Sequence, residues 1–359
     1  MPSRVISRYV VREFVSVFAP ILVSFIGVYL IIDFFERLDG LLRNDATVAL
    51  AVRYFLFKVP LMITQVTPPA VLAAVLISLG TISRRNEIVA FRALGVSLGQ
   101  MAIPLLGVAA LISAASLAWD ETVVPYCSRQ FQYVNDVQIK KRPVRGLLSS
   151  REIWYHGRDG FYNIDYVDAA GRTLHGLTIY TLDSSFGPSH IIEVPTARWD
   201  GRKWLTSSAT ERAFEGGQIV TRALAANSVA IPETIDDFLE VHRTAEELSF
   251  TQLRQRIATL ARKGIDTSSD WIDLHLKLAV PFASLVLTLM GIPLAGRVRR
   301  HPSVSGVIGV GLAAGFGYWV VLALANSLAR GGALPAPVAA WSANGIFLLV
   351  GLALFLGRE

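Results

Sequence analysis

Six long apolar runs dominate the hydrophobic pattern of the chain. They lie near residues 14–32, 59–82, 98–118, 272–295, 303–325 and 336–356. The hydrocarbon core of a bilayer is roughly 30 Å thick, so a helix needs about 20 mostly apolar residues to cross it. Each run approaches or exceeds that length, and the pattern therefore predicts six membrane-spanning helices.

The pattern changes to strict alternation between the third and fourth runs. Alternating residues begin at Glu152, and turn residues such as Asp200-Gly201 and Gly216-Gly217 separate successive segments. Period-two alternation is typical of strands with one buried face, and short turns between them are typical of a sandwich or jellyroll. The segments are 152–156, 161–167, 173–182, 189–199, 203–208, 211–215 and 218–223, enough for two sheets.

We therefore predict an α-helical integral membrane protein with six transmembrane helices and an inserted all-β jellyroll domain. The expected boundaries are 1–119 for helices 1–3, 120–270 for the β domain with its connecting helices, and 271–359 for helices 4–6. Ser249 and Gln252 have the spacing of a capping box, and apolar residues then recur at helical spacing up to Leu260. This pattern predicts an amphipathic helix that leads back to the membrane.

Composition agrees with a membrane protein and excludes an ordinary soluble fold. Hydrophobic residues make up 52% of the chain and charged residues 17%, with a mean hydropathy of +0.46. The single cysteine, Cys127, cannot form an intrachain disulfide, and no Cys/His spacing suggests a metal or a cofactor. The first apolar run lacks a small-residue cleavage site, so we expect it to be retained as a helix.

Charge asymmetry predicts the orientation of the helices. Basic residues cluster on the segments that share a side with the N-terminus, namely Arg4, Arg8, Arg12, Arg84, Arg85, Arg92, Arg297, Arg299, Arg300 and Arg358. By the positive-inside rule this side is cytoplasmic. Both termini are then cytoplasmic, and the polar residues 33–47 and the β domain lie on the outer side of the membrane. Residues 120–270 carry more acidic than basic side chains, so the net charge of +6 does not indicate nucleic-acid binding.

A short amphipathic segment separates the second and third runs. It extends from Ser83 to Ser97 and carries Glu87 and Arg92 among isoleucine, valine, phenylalanine and leucine residues. A simple connection between two helices does not require such a pattern. We interpret the segment as a docking helix on the cytoplasmic side.

These motifs resemble the permease subunits of the lipopolysaccharide export transporter, LptF and LptG, over the whole chain. The resemblance rests on D-F-F-E-R-L-D at 33–39, N-E-I-V-A-F-R-A-L-G-V-S at 86–97 and H-L-K-L-A-V-P-F-A-S-L-V at 275–286. The first motif is nearer LptG, and the last is closer to some LptF sequences. The resemblance implies that residues of about 84–95 form a coupling helix that docks on the ATPase, with Glu87 as its carboxylate and Arg92 as the basic partner.

The resemblance also implies a function and a set of partners. The chain would be half of an ABC transporter permease that extracts lipopolysaccharide from the outer leaflet and passes it to a periplasmic bridge. Its partners would be an LptB-type ATPase dimer that binds ATP, a homologous LptF/LptG subunit, and the jellyroll proteins LptC and LptA. The chain contains no G-x-x-x-x-G-K-[ST] motif, so we expect no catalytic residues and no ATPase site of its own.

Basic residues near the outer ends of the second and third runs are candidates for lipopolysaccharide contact. Lipopolysaccharide has phosphates above a cluster of acyl chains, which calls for cations over an apolar wall. The candidate cations are Arg53, Lys58, Arg129, Lys140 and Lys141, and the candidate wall residues are Phe57 and Leu61. Lys58 and Arg129 match the family's headgroup positions most closely. Anchoring of Arg53 and Lys58 at the interface by snorkelling is the simpler alternative.

Two other functions remain open from the sequence. A mechanotransmitting ABC subunit would use ATP hydrolysis to move a periplasmic partner, but proteins of that kind resemble a four-span plan with the insert after the first span. A membrane enzyme would need a catalytic group in the insert. His156, His175 and His190 lie on separate predicted segments without recognisable acid/base or metal spacing.

Overall fold

A computed structural model of the protein describes most of the chain. The described residues are 2–93, 95, 97–140, 153–156, 160–168, 172–182, 188–215, 218–235, 244–262, 266–297 and 304–357. The helices are α1 (Pro2–Arg43), α2 (Val48–Arg84), α3 (Glu87–Ala93), α4 (Leu98–Tyr133), α5 (Phe250–Arg262), α6 (Ser268–Arg297), α7 (Val304–Arg330) and α8 (Ala336–Leu356). The strands are β1 (Ile153–His156), β2 (Phe161–Asp168), β3 (Thr173–Leu182), β4 (Pro188–Trp199), β5 (Trp204–Thr206), β6 (Ala209–Glu215) and β7 (Gln218–Leu224).

The prediction of six spanning helices is confirmed. Within the described ranges, α1, α2, α4, α6, α7 and α8 are each long and apolar enough to cross a bilayer. The β domain is inserted after the third of them. We use "α3 end" for the end of the bundle that carries α3, and "β-domain end" for the opposite end.

Two helices are longer than their apolar runs. α1 continues through the polar residues from Asp33 to Arg43, which the hydropathy pattern predicts as a loop, and α4 continues to Tyr133 before a π-helical turn, Val134–Ile139. Hydropathy marks where a helix leaves the hydrocarbon, but the backbone bonds of a helix persist in water when no breaker follows. The α1–α2 connection is therefore short, and the side chain of Thr47 accepts a hydrogen bond from the Leu50 amide at the start of α2.

The core of the bundle lies where α6 packs against α2 and α8. Small residues permit the close approach, because a Cβ at Gly351 of α8 would lie 3.1 Å from the Met290 Cα of α6. The glycines of α7 differ in how closely they approach neighbouring helices. A Cβ at Gly311 would lie 2.7 Å from Leu76 of α2, whereas one at Gly309 would meet nothing within 4 Å.

The β domain is an antiparallel sheet over one apolar core. The seven described strands form one sheet in the order β1-β2-β3-β4-β6-β7, with β5 paired to β4. The sequence suggested enough strands for two sheets. The 12-residue β4 explains the single described sheet, because it pairs with β3 on one edge and with both β6 and β5 on the other. Buried Ile164, Leu174 and Trp204 lie in its core.

The predicted amphipathic return helix is confirmed as α5. The hydroxyl of Ser249 accepts from the Gln252 amide at 3.2 Å, and the Gln252 side chain accepts from the Ser249 amide at 3.1 Å. Glu121 of α4 adds a second cap, since its carboxylate accepts from the Phe250 amide at 2.7 Å and from the Thr251 hydroxyl at 2.8 Å. The helix that enters the β domain is therefore tied to the helix that leaves it.

Candidate functional site

Glu87 is the first residue of α3 and contacts α1 directly. Asn86, in the left-handed conformation at φ 57°, turns the chain from α2 into α3. The hydroxyl of Tyr9 on α1 donates to Glu87 Oε2 at 2.7 Å. A hydrogen bond to a carboxylate is stronger than one between neutral groups. The predicted coupling carboxylate therefore has a fixed partner inside the chain, which the sequence did not reveal.

Tyr9 lies at the centre of the contacts at the α3 end. Its ring meets Phe91 of α3 edge-on, with ring centroids 6.4 Å apart. Nη1 of Arg85 approaches the Tyr9 hydroxyl at 3.4 Å and Glu13 at 3.9 Å. The bond to Tyr9 and then the charge of Glu13 raise the pKa of Arg85, so this guanidinium stays charged. The α3 end thus couples a short helix to α1 through polar contacts that are partly open to water.

The structure describes only part of the predicted coupling segment. Arg92 belongs to α3, but its side chain and residues 94 and 96 lie outside the described residues. Its pairing with Glu87 stays a prediction.

A buried ion pair joins α1 to α2 at the β-domain end. Lys58 Nζ donates to Asp33 Oδ1 at 2.6 Å, and the two side chains are only 13% and 7% exposed. The ammonium also lies 6.0 Å from the centroid of the Tyr54 ring and 5.7 Å from that of Phe131. Lys58, a predicted lipid contact, therefore has an anionic partner and two aromatic neighbours within the chain.

The predicted wall residues flank this pair. Phe57 packs against a buried cluster made by the ends of α1, α2 and α4, which includes Leu41, Tyr54 and Val134. Leu61, one helical turn further along α2, is half-buried. Phe57 thus supports the aromatic surroundings of Lys58.

The other predicted cations occupy different environments. Lys140 pairs with Asp136 at 3.0 Å on the π-helical turn that follows α4. The Arg129 Nε donates to the backbone oxygen of Pro125 at 3.0 Å, and the side chain is exposed. Arg53 is exposed on α2, and Lys141 lies outside the described residues. The structure therefore brings Lys58 together with Phe131 of α4, but not with Arg53 in any described contact.

The sequence analysis did not predict a polar contact between α2 and α4. The hydroxyl of Thr64 donates to Asp120 Oδ1 at 2.7 Å, and both residues are buried. Lys277 of α6 supplies an opposite charge to Asp120. From the sequence alone, the place of Lys277 near the start of an apolar run suggests a lysine at the membrane interface. Asp120 could have been singled out from the sequence, because carboxylates are rare in membrane helices and need partners.

His175 and His190, the β-domain histidines whose side chains are described, do not converge. His190 of β4 lies 3.0 Å from Glu211 of β6 and pairs in register with Thr181 of β3. His175 of β3 is six residues from Thr181 along its strand, a separation of about 20 Å. His156 lies on β1, and its side chain is outside the described part of the chain. His175 and His190 therefore do not form a shared acid/base site.

Comparison with known proteins assigns the chain to a family. The family model described as "Lipopolysaccharide export system permease LptF/LptG" matches residues 8–357. The chain is 23% identical to the lipopolysaccharide export system permease protein LptG of Escherichia coli strain K12, over 100% of this chain and 99% of the relative. It is 22% identical to LptG of Haemophilus influenzae over 88% of each chain. With six spanning helices, an inserted antiparallel β domain and this full-length match, the chain belongs to the LptF/LptG family of lipopolysaccharide export permeases, near LptG.

Proposed function

We propose that this protein is the permease subunit of an ABC transporter that extracts lipopolysaccharide from the outer leaflet of the inner membrane. It passes the lipid to a periplasmic bridge for export to the outer membrane. A separate LptB-type ATPase dimer binds and hydrolyses ATP. The other partners are a homologous LptF/LptG subunit and the periplasmic jellyroll proteins LptC and LptA.

The observation that carries this proposal is the position of Glu87. It begins a short helix between two spanning helices, and Tyr9 ties it to α1 at 2.7 Å. A partner that moves α3 therefore pulls on a helix that extends to Arg43. At 1.5 Å per residue the 42 residues of α1 measure about 63 Å, longer than the hydrocarbon core. Movement at α3 would reach the β-domain end through α1.

The proposed orientation places the α3 end in the cytoplasm. Arg85 and Arg12 lie at that end together with Glu87, as the positive-inside rule requires. Both termini are then cytoplasmic and the β domain is periplasmic. Lys58 and Lys140 lie at the β-domain end, on the side from which a lipid of the outer leaflet would enter.

ATP-dependent release of lipopolysaccharide from proteoliposomes to a soluble LptA-type acceptor tests the proposal. The reconstituted complex contains this chain, the ATPase and the partner permease. We expect release by the wild type and its loss in Glu87→Ala with the complex still assembled. Glu13→Ala is the matched control, since Glu13 is a carboxylate near Arg85 at the same end but has no described bond to α3. It should retain most of the release.

Each failure of this experiment has a distinct meaning. If the wild type stimulates ATP hydrolysis but releases no lipopolysaccharide, the cargo assignment fails and mechanotransmission becomes the better description. If Glu87→Ala assembles and releases lipid like the wild type, the coupling role of Glu87 is wrong while the cargo assignment stands.

A further inference from the structure

The ion pair between Asp33 and Lys58 is only partly satisfied. Asp33 Oδ1 accepts from Lys58, but Asp33 Oδ2 is buried and has no hydrogen-bond partner among the described residues. A buried ion pair offsets its loss of hydration only when the remaining lone pairs and protons also find partners. The pair is therefore held together by one short contact in a position where a better partner for Lys58 could replace Asp33.

The residues of α1 next to Asp33 expose apolar side chains. On α1, Ile31 and Ile32 just before Asp33 are 59% and 51% exposed, and Phe35 just after it is 67% exposed. A second polar contact, from the Tyr29 hydroxyl to Gln65 Oε1 at 3.0 Å, lies one turn before Asp33 and joins the same two helices. Exposed apolar side chains of α1 therefore lie at the same level of the helix as two single hydrogen bonds that join α1 to α2.

Lys58 itself is prepared for an anion. An ammonium has three donors, and one of them is used by Asp33 at 2.6 Å. The rings of Tyr54 and Phe131 flank the ammonium, which favours a cation at this point. A phosphate group offers three strong acceptor oxygens and more charge than a carboxylate. Displacement of Asp33 by a phosphate would therefore give Lys58 a stronger partner.

We propose that Asp33 is an internal counter-anion that controls access of a lipid phosphate to Lys58. Lys58 binds the phosphorylated headgroup when Asp33 is displaced, and the Asp33–Lys58 ion pair forms again when the lipid leaves. This assignment rests on the proposed function, since it deepens the description of the same cargo site. It makes Asp33 a determinant of both affinity and release, and not simply a tie between two helices.

Binding of lipid A with and without its phosphates to the purified complex in nanodiscs tests the assignment. In Asp33→Asn the ammonium has no competing charge, so phosphorylated lipid A should bind about tenfold more tightly. Dephosphorylated lipid A should bind as it does to the wild type. Asp39→Asn is the matched control, because Asp39 is on the same helix and pairs with Arg43 at 2.9 Å, but is 72% exposed. It should change neither affinity.

The double variant Asp33→Asn/Lys58→Gln keeps the site neutral and removes the cation. It should discriminate between the two lipids less than the wild type does, and this result remains decisive if Asp33→Asn alone does not fold. Millimolar inorganic phosphate should fail to displace the phosphorylated lipid from Asp33→Asn, whereas full displacement would make the ligand any phosphate and overturn the lipid assignment.

Three results would overturn the role of Asp33. These are unchanged or weaker binding of phosphorylated lipid by Asp33→Asn, tighter binding of both lipids by Asp33→Asn, and discrimination by the double variant as strong as that of the wild type. If the wild type binds neither lipid, the proposed function fails together with this inference. If the wild type discriminates and Asp33→Asn does not bind more tightly, only this inference fails.

Discussion

The two ends of α1 use opposite chemistry to hold neighbouring helices. At the α3 end, α1 supplies the neutral hydroxyl of Tyr9 to the carboxylate Glu87. At the β-domain end, it supplies the carboxylate Asp33 to the ammonium of Lys58. These residues are 24 positions apart on one helix, about 36 Å along its axis. A single helix therefore carries one contact suited to a docking protein and another suited to a charged lipid.

The difference in burial determines what each contact can do. Exposed polar pairs contribute at most about 1 kcal/mol, because water and salt compete for both partners. The Asp33–Lys58 pair is largely out of water, so removal of one partner leaves an uncompensated charge. Its disruption needs a replacement anion, and in the proposal above the phosphate of the lipid is that anion.

Loss of Lys58 should have the largest effect on stability. Lys58→Met leaves Asp33 buried without its cation, which should destabilise the protein by about 3–5 kcal/mol. Lys140→Met removes a cation from a more exposed pair at the same end and is the control. The apparent Tm of the two purified variants should separate them clearly. Equal shifts for both variants would mean that burial of the Asp33–Lys58 pair has no energetic consequence.

Loss of Glu121 should have an intermediate effect that is local to the β-domain end. Glu121→Ala removes the acceptor for the Phe250 amide and the Thr251 hydroxyl, leaving the capping box of Ser249 in place. We expect a cost of about 1–2 kcal/mol and faster hydrogen exchange in the first turn of α5.

The neighbouring Thr122→Ala provides the comparison for that measurement. The Thr122 hydroxyl donates to the backbone oxygen of Ala118 within its own helix. Exchange in α5 should therefore remain as in the wild type. Faster exchange in both variants would show that α5 senses the stability of α4 in general and not the contact with Glu121.

Loss of the Tyr9 hydroxyl should cost little stability but should affect coupling. Tyr9→Phe keeps the edge contact with Phe91 and removes the bond to Glu87, at a cost of about 1 kcal/mol or less for a half-buried group. The measured quantity is the amount of lipopolysaccharide released per ATP hydrolysed. We expect this ratio to fall while the ATPase rate stays near that of the wild type. Ser24→Ala, on the same helix and bonded to the backbone oxygen of Pro20, supplies the matched loss of a hydroxyl away from both ends of α1.

The sequence predicted the positions of helices and strands much better than the contacts between their side chains. The alternating segments at 173–182 and 218–223 match β3 and β7 within one residue, because period-two burial is a local property of a strand. The polar residues after Ile32 were expected to form a loop, since hydropathy reports the membrane and not the helix. With Asp33 in a loop, its pairing with Lys58 could not be foreseen.

The contact between Glu87 and Tyr9 could not be predicted from the sequence for a related reason. Tyr9 and Glu87 are 78 residues apart, and nothing in either local segment specifies the other. Only the packing of α1 beside α2 and α3 brings them together. The family resemblance identified Glu87 itself, but the resemblance concerns motifs and does not contain the contacts that hold a motif in place.

Loss of the Asp200 carboxylate should have the smallest effect on stability, because this carboxylate is exposed to water whereas that of Asp33 is buried. In the turn between β4 and β5, Asp200 Oδ1 accepts from the amides of Lys203 and Arg202 at 2.8 Å each. These bonds lower the pKa of Asp200, that from Lys203 first. A lowered pKa means that the folded turn favours the ionised carboxylate. The stabilisation is therefore complete above the unfolded pKa of about 3.9 and is lost as the pH falls through the lower folded value.

Fluorine NMR of 5-fluorotryptophan protein can follow this turn, since the rings of Trp199 and Trp204 flank it with centroids 5.2 Å apart. Their signals should stay constant from pH 7 to about pH 5 and shift only below the unfolded pKa of about 3.9. Asp200→Asn keeps an acceptor oxygen but cannot titrate, so its signals should not shift over that range. A shift in the wild type that begins near neutral pH would implicate another group, because a carboxylate with a lowered pKa is fully ionised there. Asp200 would then not serve as the water-exposed carboxylate with which the buried Asp33 is compared.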